Sequence, residues 1–300
     1  MKTIKGIFIA ALVGFSATLT AKQITVEHPL GKTQLDTKPQ RVIVLGMDTL
    51  DVLNKLDIEP VGVVKAPMPD YLNKYQAETY AAVGSLHEPN FEAIFTLKPD
   101  LIIASNRSSE SLDELSKIAP TVVFMADAKD YWPSTQAAWR MIGKIFEREA
   151  DIEKIISQTQ ADIELVNARA KSRDAHALMV MTNGGNVATF GAGSRYSAIF
   201  DIFGFKESVA NDKNLSHGDL VSFEYIAQAN PDYLLVMDRD KAIGRESGEA
   251  SKTFYNALIK QTNAAKNNRI VHLNPQAWYI SASGITATQI MIEDMKSALK

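Results

Sequence analysis

Two stretches of the chain, 132 residues apart, carry the same pattern. Phe91-Glu92-x-Ile94 leads to Pro99-Asp100 and the apolar run Leu101-Ile102-Ile103. Phe223-Glu224-x-Ile226 leads to Pro231-Asp232 and Tyr233-Leu234-Leu235. In each copy the proline ends a short helix and the aspartate opens a buried strand. Such a duplication predicts two α/β units of related design. Each copy also has an arginine eight residues after its proline, Arg107 and Arg239. Both arginines then fall at or just past the C-terminal ends of equivalent strands. That edge is where open α/β sheets bind ligands.

The rest of the chain fits this frame. Segments 41–46, 61–64, 100–104 and 121–125 read as buried strands in the first half. Segments 176–182, 186–191, 232–237 and 269–273 do so in the second. Helical stretches such as 47–56 and 108–118 lie between them, an alternation that argues for mostly parallel sheets. Between the halves, Ile142, Ile145, Ile152, Ile156, Ile163 and Val166 recur at three- and four-residue spacing. The spacing predicts one long helix over 139–172, with two shorter helices as the alternative. The expected organisation is a leader over 1–21, a first lobe over 22–138, a bridging helix over 139–173 and a second lobe over 174–300.

Composition excludes more than it names. With no cysteine among 300 residues, disulfides, thiolate metal sites, cysteine nucleophiles and lipid attachment through cysteine are ruled out. A formal charge of −3 gives no general attraction to nucleic acid or anionic membrane. Beyond the extreme N-terminus no apolar run is long enough to span a bilayer. Lys2 and Lys5, the apolar run from Gly6 to Phe15, and the small residues ending at Ala21 have the layout of a cleaved secretory signal. The mature chain is expected in a periplasm, without membrane insertion.

Taken in order, the strand RVIVLG, the two Pro-Asp strands, the long central helix, GAGSRYSAIFDIFGF (191–205) and WYISASG (278–284) resemble one family. It is the class III periplasmic substrate-binding proteins of ABC importers, in particular the subgroup that binds ferric catecholate siderophores. The resemblance implies two Rossmann-like lobes joined by a rigid helix, with the ligand in the cleft between them. It implies a monomer with no permanently bound cofactor, whose cargo is Fe(III) in its siderophore and whose partner is an inner-membrane permease. Arg107, Arg195 and Arg239 match the arginines that contact catecholate oxygens. His217 and Tyr279 match the residues that ligate iron directly in part of the subgroup. Glu110 matches one of the surface glutamates that meet the transporter, and Glu246 or Glu249 is the candidate for the other.

The residue types suit that chemistry. A ferric tris-catecholate is a trianion, and three guanidiniums supply three charges as planar forks of donors. A tetradentate bis-catecholate leaves two of the six iron positions open, which an imidazole and a phenolate fill. Tyr196, Trp278, Trp132 and Met47 are candidates to line the cleft and stack on catechol rings. The other four histidines have no metal-site spacing. Haem or a corrinoid in the same fold remains an alternative ligand. A secreted enzyme acting on a phosphate ester is the alternative of another class. For catalysis the signals are weak: Gly191-x-Gly193 has tyrosine at 196 where a dinucleotide fingerprint needs a third glycine, and neither Ser194 nor Ser216 lies in a nucleophile elbow.

Overall fold

The computed structural model describes residues 22–210 and 218–300. A hairpin comes first, β1 (Gln23–His28) and β2 (Gly31–Asp36), which buries only Val26 and Leu35. The first lobe then runs β3 (Val42–Val44), α1 (Met47–Lys55), β4 (Gly62–Val63), β5 (Ala81–Ala82), α2 (Phe91–Thr96), β6 (Leu101–Ser105), α3 (Leu112–Ser116) and β7 (Thr121–Phe124). Its sheet has the order β5-β4-β3-β6-β7 and is parallel throughout. The chain leaves β3 toward one side and reaches β6 on the other, so these neighbours form a topological switch point. Their C-terminal ends open a crevice there.

The second lobe contains β8 (His176–Asn183), β9 (Asn186–Phe190), α6 (Ala198–Asp201), β10 (Lys206–Glu207), β11 (Asp219–Val221), α7 (Phe223–Ala229) and β12 (Tyr233–Asp238). After it come α8 (Arg239–Ala242), α9 (Glu249–Lys252), α10 (Ala257–Lys260), α11 (Asn263–Lys266) and β13 (Ile270–His272). The strand order is β11-β9-β8-β12-β13, with β10 also pairing with β8. Strands β8, β10, β12 and β13 pair in parallel, whereas β9 forms antiparallel pairs with β8 and β11. The central strands β8 and β12 are apolar over 177–181 and 233–237 because both their faces are covered. Leu178, Val180, Leu234 and Val236 pack into an outer cluster around Phe254. Met179, Met181, Leu235 and Met237 point the other way, into the main core.

Both copies of the sequence repeat build the same local structure. Asn90 and Ser222 cap α2 and α7 by accepting from the Ala93 and Tyr225 amides. Lys98 and Asn230, each just before the proline, both have positive φ, 47° and 41°.

The single helix expected over 139–172 is instead two, α4 (Tyr131–Phe146) and α5 (Glu149–Ser172). Glu147 turns left-handed, at φ 53° and ψ 46°, and the Arg148 amide closes the turn onto the Gly143 carbonyl at 2.7 Å. A Cβ at Gly143 would sit 3.0 Å from Ile152, so the glycine lets the two helices cross closely. Apolar spacing runs through the break because each helix buries one face. At 24 residues, α5 is about 36 Å long.

The last helix, α12 (Ile285–Ala298), packs against α1 and α5. Its N-terminal amides are capped from the first lobe. The fully buried Asp51 carboxylate on α1 accepts from the Thr286 amide at 3.0 Å and the Ala287 amide at 2.8 Å. No described helix is long and apolar enough to cross a membrane.

Candidate functional site

Between the lobes lies a cleft of about 1,090 Å³, slightly above the usual size for small-molecule sites, roughly 300–1,000 Å³. The first lobe contributes the ends of β3 and β6: Gly46, Met47, Asp48, Ser105 and Arg107. Gly46 is required by proximity, because a Cβ there would sit 2.7 Å from the Ser105 Cβ. The turn 125–131 forms one rim. From the far side come the loop after β9, with Ser194 and Arg195, and the segment 279–283.

That last segment is held from several directions. Trp139 donates from its indole nitrogen to the Ser283 carbonyl at 2.7 Å, and the Ser283 amide donates to the Tyr131 hydroxyl at 3.0 Å. The Tyr71 hydroxyl lies 3.1 Å from the Asp51 carboxylate and 3.0 Å from the Ser281 hydroxyl. Tyr279 is thereby fixed at the centre of the cleft.

Three arginines converge on it. Arg107 and Arg195, from opposite lobes, both donate to the Tyr279 carbonyl, at 2.8 and 3.2 Å. Arg239, directly after β12, donates from Nε to the Tyr279 hydroxyl at 2.9 Å and from Nη1 to the Asn183 amide oxygen at 3.1 Å. The guanidinium carbons of Arg195, Arg107 and Arg239 lie 4.2, 5.5 and 5.7 Å from the centre of the Tyr279 ring. Among the described residues, every hydrogen-bond acceptor of these guanidiniums is neutral. Among these residues three positive charges are therefore gathered without being cancelled by direct pairing.

The titrating groups register this field. Burial, joined by the like charge of Arg195, pulls Arg107 below its ordinary value. At Tyr279, burial pushes the phenol up, but the hydrogen bond from Arg239 and the charges of Arg195, Arg239 and Arg107 outweigh it. The net shift is downward. The phenol is thus biased toward the phenolate, the form that ligates a hard cation. Asp48 goes the other way: burial lifts its carboxyl to about 6, against the opposing pull of the Thr49 amide and Arg107.

Arg107, Arg195, Arg239 and Tyr279 are therefore brought together. Met47 lines the cleft as well. Tyr196 and Trp278 require a correction, because they lie beneath the site rather than on its wall. Tyr196 is wholly buried and points its hydroxyl at the Met181 sulfur, 3.7 Å away. Trp278 is 2% exposed and donates to Asp294 at 2.9 Å. The two rings lie 6.4 Å apart as an aromatic floor under Arg195 and Tyr279. Trp132 is likewise buried, edge-on to Trp139. His217 lies outside the described residues. Among the described residues no cluster of histidine, aspartate and glutamate could hold a metal by itself. Glu110 and Glu246 are both exposed.

Sequence reasoning passed over Asp48 and the Tyr279 carbonyl. Asp48 stands two residues beyond the RVIVLG strand, at the very edge where ligands are expected, so its position was a readable signal. The carbonyl belongs to the backbone and has no residue-type signature.

Residues 42–277 match the model of a family described as periplasmic binding protein. The chain belongs to the periplasmic binding protein family. Within it, the chain is 39% identical over 283 residues to the petrobactin-binding protein YclQ of Bacillus subtilis, covering 93% of this chain and 89% of that one. It is 34% identical over 277 residues to the ferric-anguibactin-binding protein FatB of Vibrio anguillarum, covering 91% and 86%. A solved structure of the periplasmic catecholate-siderophore binding protein VctP from Vibrio cholerae superimposes with a TM-score of 0.89 at 49% identity. That match covers 92% of this chain and all of the other. The two-lobed α/β fold implied by the resemblance to periplasmic binding proteins is thus the one observed.

Proposed function

We propose that this protein captures a ferric catecholate siderophore in the cleft and hands it to an ABC permease in the inner membrane. The observation that carries the reading is the group of three guanidiniums around Tyr279, whose acceptors among the described residues are all neutral. Like charges so placed are unfavourable until an anion joins them, and charge-assisted hydrogen bonds to clustered oxygens then favour it strongly. Relatives named for petrobactin, ferric anguibactin and catecholate siderophores support the same ligand class. Arg107 and Arg195 face the cleft directly. Arg239 acts on the ligand side through the Tyr279 hydroxyl.

In this reading Tyr279 completes the coordination of iron whenever the siderophore supplies fewer than six donors. Its lowered phenol makes the proton cheaper to lose. His217 is the proposed second ligand. Glu110 and Glu246, one on each lobe, are the proposed permease contacts. The protein works outside the cytoplasm as a carrier, and the ligand leaves chemically unchanged.

The test is a tryptophan-fluorescence titration of the chain from residue 22 with a ferric tris-catecholate, a ferric bis-catecholate and haem, with visible spectra recorded in parallel. Saturable quenching by the ferric catecholates is expected, with a shifted charge-transfer band for the bis-catecholate alone. Binding of haem with no response to either catecholate overturns the proposal.

A further inference from the structure

Asp48 is out of place in a cleft for an anion. It lines the cavity in the first turn of α1, part-buried, with Oδ1 accepting from the Thr49 amide at 2.8 Å. Arg107 is the nearest cationic influence, and Asp51 on the same helix adds a like charge. Two phenols sense its charge: Tyr71 from the turn Asp70–Gln76, whose hydroxyl is held by Asp51 and Ser281, and Tyr131 from the start of α4, whose hydroxyl points at the Met291 sulfur. Burial raises both phenols, so they stay neutral. Across the cavity stand Arg195 and Tyr279, and the rim carries Asp127, Lys129 and Asp130, all three exposed. The exposed rim charges are screened by water more fully than the part-buried Asp48.

An ionised carboxylate there opposes a trianion. A protonated carboxyl does not, and it offers an O–H donor to a catecholate oxygen. Resting on the functional reading above, we propose that Asp48 takes up one proton from solvent as the anionic ligand fills the cleft. Asp48 is then the residue that sets which net charge the site accepts. The proton comes from water or buffer and goes to a carboxylate oxygen, and no bond of the ligand is made or broken. With the carboxyl at about 6 in the empty cleft, it is mostly ionised at neutral pH. A neighbouring trianion raises it further. Ligand affinity therefore weakens as pH rises from 6 to 8, approaching tenfold per pH unit for one coupled proton.

The probe is a ferric tris-catecholate, whose six donors leave no iron position for Tyr279 and so release no phenolic proton. Isothermal titration in two buffers of different ionisation enthalpy at pH 7.5 counts the protons exchanged. The wild type is expected to take up close to one proton, and Asp48→Asn close to none. The dissociation constant of the variant should match at pH 6 and pH 8, and at pH 8 it should lie at least tenfold below that of the wild type. Asp48→Ser serves where the asparagine variant does not fold. Protons exchanged by the ligand itself cancel between wild type and variant. Equal proton uptake by both, or weaker binding by the variant at pH 8, overturns the assignment of Asp48 while leaving the siderophore reading intact. Failure of the wild type to bind the probe at any pH removes that reading, and this inference with it.

Discussion

The Asp51 cap on α12 can be removed with a consequence that the geometry sets. Asp51→Ala strips acceptors from the Thr286 and Ala287 amides and from the Tyr71 hydroxyl. Stranding a buried donor costs about 1–3 kcal/mol. Tyr71 keeps the Ser281 hydroxyl at 3.0 Å, so the two stranded amides give about 2–3 kcal/mol, and relief of the buried charge keeps the figure from rising far above that. With an m-value of about 3 kcal/mol/M, the urea midpoint falls by about 1 M. Gly284 supplies the internal control. A Cβ at 284 would overlap the Asp51 carboxylate and sit 2.8 Å from the Asp51 Cβ and Cγ. Gly284→Ala alone should therefore destabilise by about 1–3 kcal/mol. In the Asp51→Ala background two of those three obstacles are gone, so the double variant should be less destabilised than the sum by about 1–2 kcal/mol. The pH dependence has a definite sign. Burial raises the Asp51 carboxyl above its unfolded value. Its proton-linked stability is full below the unfolded value and is lost as pH rises through the folded one. The gap between wild type and Asp51→Ala should thus widen as pH falls from 7 toward 4. A midpoint unchanged by Asp51→Ala, or strict additivity with Gly284→Ala, refutes this account of the inter-lobe cap.

Other outcomes are expected at the cleft. Arg195→Ala should weaken a ferric tris-catecholate by about 1.5–3 kcal/mol, the scale of a charged hydrogen bond, measured by fluorescence quenching. Tyr279→Phe should leave affinity for that ligand within a few-fold but abolish the shifted visible band with a bis-catecholate, and equal losses for both ligands would argue against iron ligation. Arg239→Gln removes one of the causes that lower the Tyr279 phenol, so its ultraviolet titration should move to higher pH. Glu110→Ala with Glu246→Ala should depress uptake in cells while binding in solution stays unchanged.

Much of this was legible from residue order. The repeat located α2 with β6 and α7 with β12, because caps, prolines and strand starts are local chemistry that survives in sequence. Arg107 and Arg239 followed from the same offset. The break at Glu147 was hidden, since glutamate and arginine are good helix formers and no glycine or proline marks the turn. The hairpin Gln23–Asp36 left little trace because only two of its side chains are buried. From sequence alone Tyr196 and Trp278 read as wall residues, because aromatic residues beside a loop look alike whether they face inward or outward. What separates them is packing against Phe190 and Phe203, at 4.9 and 6.2 Å between ring centres, from residues not adjacent to either in sequence.

The group that gathers Arg107 and Arg195 is a peptide carbonyl, and no substitution of the side chain at 279 deletes it. The grip on an anion and the choice of metal donor are therefore separable in evolution. A descendant of this chain that replaces the tyrosine keeps two arginines converging from opposite lobes on the same carbonyl. Under the proposed iron ligation by Tyr279, one codon retunes the cleft from shared to complete ligand coordination without rebuilding the basket around the carbonyl.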